Sequence, residues 1–125
     1  MTRSLILFAH GARAASWAAP FEQLRAPTQA RMPAVPVSLA FLELMEPRLP
    51  EHVAALAAQG VAGVTIVPVF LGQGGHLLRD LPLLVAQLRA DHPQLAINVA
   101  GAVGEDPNVL NAMTDYCVAA FSKDA

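Results

Sequence analysis

The chain has 125 residues, a length that fits one domain with one substantial core. Charged residues make up only 14% of it, whereas an average soluble domain is about 25% charged. This low charge content predicts that part of the surface is covered by a second subunit or lines an apolar ligand cleft. A formal net charge of −2 argues against a nucleic-acid partner, because phosphate contacts need clustered Lys and Arg and the chain has only 8.

Cys117 is the only cysteine, which excludes an intrachain disulfide and a cysteine-based zinc site and predicts a reducing compartment. The apolar run at residues 5–9 after Arg3 superficially suggests a signal peptide. Its 5 residues are too few, because the hydrophobic region of such a peptide usually has about 7–15. No run reaches the roughly 18 apolar residues of a membrane span. We therefore expect a soluble, cytoplasmic protein without a membrane partner.

Four apolar runs rich in β-branched or aromatic residues predict strands, and the segments between them have apolar residues at helical spacing. Strands that are apolar throughout are buried on both faces, and the helices between them form the right-handed crossovers of a parallel sheet. The order βαβαβαβα therefore predicts a three-layer α/β sandwich with a four-stranded parallel sheet. No linker or repeat divides the chain, so we expect one domain over residues 1–125. The predicted strands are residues 5–9, 35–42, 64–71 and 95–100.

The first two predicted helices have clear boundary signals. Ser16 is a candidate N-cap of the first helix, and Pro27 should kink or interrupt that helix. The second helix begins at Pro47 or Pro50 and stops at Gly60. Their inward stripes are Trp17, Phe21, Leu24, Thr28 and Met32 in the first helix, and Leu49, Val53, Leu56 and Ala57 in the second.

The last two predicted helices lie on either side of the fourth strand. The third helix ends before Pro93, and the fourth has Asp106 as its N-cap and Pro107 at its first position. His52 and His92 are expected to be exposed helix residues without a special role. The inward stripes are Leu77, Leu81, Leu84, Val85 and Leu88 in the third helix, and Val109, Leu110, Met113, Cys117 and Phe121 in the fourth.

Two histidines stand where predicted strands run into glycine-bearing loops. His10 follows residues 5–9, and His76 follows residues 67–75, in which Pro68 cannot donate to a strand ladder and so ends regular pairing. In an open parallel sheet both would lie at the carboxyl edge, where ligands bind. Neutral imidazoles bind borderline divalent metals and take up protons near neutral pH. A lone histidine is more often a strand cap, but the pair favours a shared metal-handling site.

Glu43 is the third candidate, because it follows the second apolar run directly and would share the same edge. Glu46 is better explained as a solvated carboxylate near a helix N-terminus, although either glutamate could be the acidic partner. Arg13 and Arg79 each lie three residues beyond a candidate histidine. They could bind an anionic ligand, and a solvated surface cation is the alternative. We expect Arg79 to lie in the first turn of a helix.

The glycine-rich loop before His76 allows positive φ angles and a close approach of a ligand to the backbone. It is not a phosphate loop, because the chain has neither a GxxxxGK[ST] segment nor a GxGxxG segment that opens a helix after a strand. Trp17 and Met32 fall on a helical stripe and are assigned to the core rather than to ligand contact. The expected substrate-binding residues are Gly11, Arg13, Phe70, Leu71, Gly74, Gly75 and Arg79.

Three segments in order carry a family resemblance: FAHGAR at residues 8–13, AFLE at 40–43, and VPVFL through GGH at 67–76, followed by DLP at 80–82. Together they resemble the small sirohydrochlorin cobaltochelatases of the CbiX type, which are relatives of SirB and, more distantly, of ferrochelatase. The resemblance implies a chelatase-like half-domain, half of the usual bilobal chelatase, that works as a homodimer.

The resemblance also implies insertion of Co²⁺, or of Ni²⁺ or Fe²⁺, into a polycarboxylate tetrapyrrole on the way to cobalamin or sirohaem. This lyase reaction needs no cofactor beyond the substrate metal. The resemblance implies His10 and His76 as metal-binding and catalytic residues, with Glu43 as their acidic partner. Family members usually have serine where this chain has Ala12, and often an acidic residue where it has Ala14, so affinity or metal preference can differ here.

Two other functions are open alternatives from the sequence. A non-catalytic metal- or tetrapyrrole-binding paralogue would keep the histidines without turnover, and the missing serine at Ala12 favours it. A histidine-dependent phosphoryl-transfer enzyme is suggested by His10 and Gly11. Such enzymes usually place an arginine before the histidine, where this chain has Ala9.

Overall fold

A computed structural model describes residues 2–72 and 74–124, with residues 75, 76, 78 and 124 described by their backbone alone. All strand pairs are parallel, in the order β2-β1-β3-β4. This arrangement confirms the predicted α/β fold with a four-stranded parallel sheet. The strands are β1 (Arg3–Ala9), β2 (Val37–Phe41), β3 (Gly63–Pro68) and β4 (Ala96–Val99), and the helices are α1 (Ala18–Arg31), α2 (Leu49–Ala58), α3 (Gly75–Asp91) and α4 (Pro107–Asp124).

Successive side chains along a strand point to opposite faces of the sheet, and the two faces pack against different helices. On one face Ile6, Phe8 and Ile66 form the core together with α2 and α3. On the other face Phe21 of α1 packs edge-on against Phe41, with 6.4 Å between the ring centroids. Each large apolar side chain buried in this way contributes about 1.5–3 kcal/mol to stability. The helical part of the core is Leu49, Val53, Leu56, Leu77, Leu81, Val85 and Leu88, which confirms the predicted stripes of α2 and α3.

Prolines, a glycine and an aspartate set element boundaries as predicted. Pro50 lies in the first turn of α2, and Gly60, at φ +81°, follows the end of that helix. β3 ends at Pro68, which has no amide hydrogen to donate, three residues before the end of the predicted strand 64–71; one further bond, from the Val69 amide to the Phe8 carbonyl at 2.7 Å, follows it. Asp106 caps α4, because its Oδ2 accepts hydrogen bonds from the backbone amides of Asn108 and Val109 at 3.0 and 3.3 Å.

The start of α1 and its continuity at Pro27 differ from the prediction, whereas a kink at Pro27 stays a prediction. Ser16 does not cap the helix, because Ala15–Trp17 form a short 3-10 turn and the N-cap position has no side-chain hydrogen bond. The helix is not interrupted at Pro27 and continues to its end at residue 31. Pro27 itself has no amide hydrogen for the helix ladder, but Thr28 directly after it bonds back to the preceding turn, because its Oγ1 donates to the Leu24 carbonyl at 2.7 Å.

The predicted inward stripe of α1 is largely solvent-exposed. No residue of α1 is buried. Trp17 and Met32, which were predicted to lie in the core, keep 41% and 38% of their surface exposed. The prediction is wrong because α1 lies against only part of its face of the sheet, over β2 and β1.

The predicted inward stripe of α4 is also uncovered. Within residues 107–123 no residue is buried, and only Val109 and Met113 are half-buried. Leu110 and Phe121 keep 46% and 78% of their surface exposed. The main contacts of α4 with other described elements are with the 3-10 turn Val103–Glu105 directly before it in sequence, and none of its main contacts is with a strand of the sheet.

The α1 side of the sheet is therefore open beside β3 and β4. Thr65 and Val67 on β3 are half-buried, and Ala96 and Asn98 on β4 are exposed. The prediction that the strands are buried on both faces is confirmed for the centre of β1 and is wrong for β4. No helix within the described residues is long and apolar enough to cross a membrane.

Candidate functional site at the carboxyl edge of the sheet

His10 and Glu43 lie side by side at the carboxyl edge of the sheet. The parallel pairing of β1 with β2 continues past both strand ends. The Leu42 amide donates to the Ala9 carbonyl at 2.8 Å, and the Glu43 amide donates to the His10 carbonyl at 3.1 Å. Both His10 and Glu43 are exposed. The structure thus brings together the first predicted histidine and the predicted acidic residue.

Gly11 permits the close approach of the two loops. Its φ of +89° lies in the region that L side chains rarely adopt, and a Cβ atom at this position would collide with the carbonyl oxygen of Glu43. The sequence predicted Gly11 as a substrate-binding residue. The structure gives it a steric role that the sequence alone did not indicate.

An aromatic ring packs against His10. The ring centroids of His10 and Phe70 lie 4.5 Å apart with an interplanar angle of 48°. Phe70 is 7% exposed, and it packs edge-on against Phe8 with 5.6 Å between the ring centroids. Its carbonyl also accepts a hydrogen bond from the Gly104 amide at 2.8 Å. The core therefore holds Phe70 in place, and Phe70 forms an apolar wall on one side of the imidazole.

His76 occupies the second position of α3, after Gly75 at the first position and Gly74 at the N-cap. We predicted Gly75 as part of the loop, but the helix already begins there because the extended Gly74 ends the loop. The side chain of His76 lies outside the described part of the structure. Among the described residues no group of three or more His, Cys, Asp or Glu could hold a metal ion. The shared metal site of His10, His76 and Glu43 stays a prediction.

The remaining predicted charged residues lie on the surface around this edge. Arg13 is exposed in the loop after β1. Arg79 is exposed and is the fifth residue of α3, so it begins the second turn rather than lying in the first, because the helix starts at Gly75. Glu46 is exposed and lies before the N-cap of α2, and Glu51 is the acidic residue in the first turn.

Two exposed leucines at this edge border the residues that contact His10. Leu44 follows Glu43 directly, has a φ of +67° and is 60% exposed. Leu71, a predicted substrate-binding residue, follows Phe70 and is 75% exposed. Leu44 was not among the predicted site residues, because nothing in the sequence around this apolar residue indicates that it is exposed. Exposed leucines beside a histidine and a carboxylate suit a ligand with apolar faces.

His52 has a partner away from the carboxyl edge. Its Nε2 lies 2.7 Å from Ser38 Oγ, near the amino end of β2. Burial lowers the pKa of His52 from its ordinary value. The prediction that His52 is an exposed residue is therefore wrong, because β2 and α2 pack against each other around it. His92, also predicted to be a helix residue, is the half-buried C-cap of α3.

The parallel sheet flanked by helices makes this an α/β domain, a class in which ligands bind at the carboxyl ends of the strands, and His10 and Glu43 form a candidate site there. The family model for CbiX matches residues 4–119 of this chain. The chain belongs to the CbiX family.

Two solved structures and one curated relative show how far the likeness extends. A cobalamin (vitamin B12) biosynthesis CbiX protein from Marinobacter aquaeolei VT8 is 34% identical with a TM-score of 0.84, covering 97% of this chain and 98% of that one. SirB from Bacillus subtilis subspecies spizizenii, solved in complex with cobalt, is 26% identical with a TM-score of 0.70, covering 92% of this chain and 51% of that one. The sirohydrochlorin cobaltochelatase of Methanothermobacter thermautotrophicus is 40% identical over 47 residues, which are 38% of this chain and 33% of the relative. This chain thus matches about a third of that relative's length and about half of the SirB chain.

Proposed function

We propose that this protein is a metal chelatase that inserts a divalent cation into sirohydrochlorin or a related tetrapyrrole. Co²⁺ is the first candidate, and Ni²⁺ and Fe²⁺ are the alternatives. One observation carries the proposal: the exposed imidazole of His10 stands on Phe70, next to Glu43, at the edge where α3 begins with His76 in its first turn. Membership of the CbiX family supports it, as do the relative named a cobaltochelatase and the SirB structure with cobalt.

The reaction explains why these residue types would be needed. Metallation exchanges two pyrrole N–H protons for one metal ion, so the site needs a ligand for a partly dehydrated cation and an acceptor for protons. A neutral imidazole can do either, because its nitrogen lone pair binds borderline metals or takes up a proton near neutral pH. We assign these tasks to His10 and His76. Glu43 would balance the charge of the incoming cation or relay a proton.

The surroundings of His10 suit a flat macrocycle with acidic substituents. The exposed Leu44 and Leu71 offer apolar contact to the faces of the ring. At Gly74, apart from its chain neighbours, no described atom lies within 4 Å of the position that a Cβ would take, which favours a close approach of a ligand to the backbone. Arg13 and Arg79 would bind the carboxylates.

We further propose that residues 1–125 act as one chelatase domain and that two copies form the working unit. The match to 51% of the SirB chain supports a half-size subunit, and so does the low charge content of 14%. A cytoplasmic location belongs to the same proposal, because the exposed Cys117 is a free thiol, as in proteins of reducing compartments.

A metallation assay tests the chemistry. Purified protein with sirohydrochlorin and Co²⁺ should form the metallated product faster than the same mixture without protein, as followed by the absorbance of the macrocycle. His10→Ala and His76→Ala should each remove most of this acceleration. Equal rates with and without protein would refute a chelatase. Metal or tetrapyrrole binding without acceleration would point to the non-catalytic paralogue.

His92→Ala is the matched control in the same assay. It also removes one imidazole, but it does so at the C-cap of α3, at the other end of the helix from His76. It should keep the wild-type rate. An equal loss in all three variants would mean that the histidines act only by nonspecific metal binding. Parallel reactions with Co²⁺, Ni²⁺ and Fe²⁺ then rank the metals.

A further inference from the structure

Ser38 and His52 form a hydrogen-bonded pair outside the candidate chelatase site. The Nε2 atom of His52 lies 2.7 Å from the Oγ atom of Ser38. Ser38 belongs to β2 and His52 to α2, so regular elements hold both partners. Both residues are half-buried, which leaves them accessible to solvent. A hydroxyl at this distance from an imidazole nitrogen is the arrangement of a nucleophile and its general base.

The imidazole of His52 is suited to accept the proton of the serine. Burial lowers the pKa of His52 from its ordinary value of 6.5, so the ring is neutral at pH 7 and one nitrogen carries a free lone pair. Among the described residues, only Ser38 forms a side-chain hydrogen bond with His52. When the ring proton is on Nδ1, the Ser38 hydroxyl donates to Nε2, which can then take up its proton.

A groove of about 480 Å³ along the outer edge of β2 gives access to the pair. This volume lies within the roughly 300–1,000 Å³ that is typical of small-molecule sites. Residues of α1 and of α2 line the groove, as does the loop that joins β2 to α2. The apolar part of the lining includes Val37, Phe41, Met45 and Pro47. The groove therefore suits a small ligand with an apolar group.

The edge of β2 contributes a backbone donor directly after the serine. The amide of Val37 donates away from the sheet to Gln29 Oε1 at 2.8 Å. The amide of Phe41 donates on the same outer edge to the Pro47 carbonyl at 2.9 Å. Backbone groups alternate between the two edges of a strand, so the amide of Leu39, midway between them, also faces outward.

The amide of Leu39 is placed to stabilise negative charge on a ligand. Leu39 lines the same groove as Ser38 and His52. Within the described part of the chain, no hydrogen bond on this outer edge uses the amide. The amide that follows a nucleophilic serine is a common donor to the oxyanion of an acyl-transfer intermediate. A nucleophile, a base and an oxyanion donor therefore meet in one groove.

We propose that Ser38 and His52 form a second active site, which hydrolyses small esters with short apolar acyl chains. Ser38 Oγ attacks the ester carbonyl while His52 Nε2 takes the hydroxyl proton, and the Leu39 amide donates to the carbonyl oxygen. The bond to the alcohol breaks, and the alcohol leaves with the proton from His52. Water then gives one proton to His52 and its hydroxyl to the acyl group, and Ser38 Oγ leaves with that proton.

Covalent labelling tests the nucleophile. A fluorophosphonate forms an Oγ–P bond with an activated serine and releases fluoride. In the presence of EDTA it should modify Ser38 of the wild-type protein, as located by peptide mass spectrometry, and Ser38→Ala should remove this modification. Ser122 is the internal control, because its hydroxyl donates to the Val118 carbonyl at 2.9 Å instead of to a histidine. It should stay unmodified.

Hydrolysis of p-nitrophenyl butyrate tests turnover, and EDTA excludes hydrolysis by metal ions. The wild type should release a burst of nitrophenolate as the acyl-serine forms. Ser38→Ala and His52→Gln should each lower kcat/KM by at least about 100-fold, the usual contribution of a general base. His92→Ala is the matched control, because it removes an imidazole at the C-cap of α3, and it should keep the wild-type kcat/KM. Circular dichroism verifies that the variants fold.

The outcomes distinguish an active pair from a purely structural hydrogen bond. Equal labelling of Ser38 and Ser122, or equal kcat/KM for the wild type and Ser38→Ala, would overturn the proposal. Labelling of Ser38 that His52→Gln leaves unchanged would overturn the role of the base. Metallation is measured on the same samples, and Ser38→Ala should keep the wild-type metallation rate. Ester hydrolysis at Ser38 without metallation supports this inference and refutes the chelatase.

Discussion

Replacing Gly11 by alanine would test whether the carboxyl edge depends on close contact between the loops after β1 and β2. The residue combines a φ of +89° with a predicted collision between the new Cβ and the Glu43 carbonyl oxygen. Two other glycines separate these effects. Gly60 has a φ of +81° and, apart from its chain neighbours, no described atom within 4 Å of its Cβ position, whereas Gly104 has no positive φ but its Cβ would collide with the backbone of Leu71.

The expected loss of stability has two contributions, the cost of the positive φ and the cost of the collision. A left-handed backbone costs an L residue about 1–2 kcal/mol, and the lower entropy of the unfolded alanine chain returns about 0.4–1 kcal/mol. Gly60→Ala should therefore cost about 1 kcal/mol. A collision with backbone adds about 1–3 kcal/mol, so Gly104→Ala, which has the same entropy return, should lose about 0.5–2 kcal/mol. Gly11→Ala has both terms and should lose about 2–4 kcal/mol.

Gly101→Ala completes the series, because Gly101 has no positive φ and, apart from its chain neighbours, no described atom lies within 4 Å of its Cβ position. It should be neutral or stabilising by up to about 1 kcal/mol. Urea unfolding measures the differences, and each kcal/mol should lower Tm by about 3–5 °C for a chain of this size. If Gly11→Ala proved as stable as Gly101→Ala, the conclusion that the loops after β1 and β2 are in close contact would be refuted.

Two further predictions concern His52 and the start of α4. Burial lowers the pKa of His52 below its ordinary 6.5, so the unfolded state binds the proton more readily and the free energy of unfolding should fall as the pH drops through 6.5. His52→Gln should flatten this slope in urea unfolding at about pH 5 and about pH 8, and an unchanged slope would contradict this assignment. Asp106→Ala removes the acceptor of two backbone amides and should cost about 1 kcal/mol, whereas Asp106→Asn should retain most of the cap. Hydrogen exchange in the first turn of α4 measures this loss, and equal protection in both variants would argue against the cap.

The core elements were predictable because their signals are local. The stripes of α2 and α3 are buried where the apolar spacing places them, from Leu49 to Leu88. Pro68 is the last residue of β3 and has no amide hydrogen to donate, although the Val69 amide still donates to the Phe8 carbonyl at 2.7 Å. The start of α1 was less predictable. Ser16 could cap the helix only if the helix began directly after it, but Ser16 lies inside the 3-10 turn Ala15–Trp17 and α1 begins at Ala18.

The candidate site was predictable in its layout but not in its contacts. Parallel strands place the residues after their carboxyl ends at one edge, so His10 and Glu43 were expected to meet, and their backbones do. The packing of His10 on Phe70 and the collision that excludes a side chain at Gly11 depend on distances between loops. Leu44 was missed for the same reason, because no local pattern reports its exposure.

The sequence by itself determined the parallel α/β architecture, the helical stripes and the edge at which the two histidine-bearing segments begin. Periodicity and proline chemistry act within a few residues and need no distant partner. Only the tertiary structure decided what each stripe faces. The residues of α4 have the same apolar spacing as those of α3, yet α3 contributes four residues to the core, whereas no residue of α4 is in the core and Phe121 is exposed. Spacing reports that a face is apolar, but the surface that covers it is set by the path of the chain and by contact with another molecule.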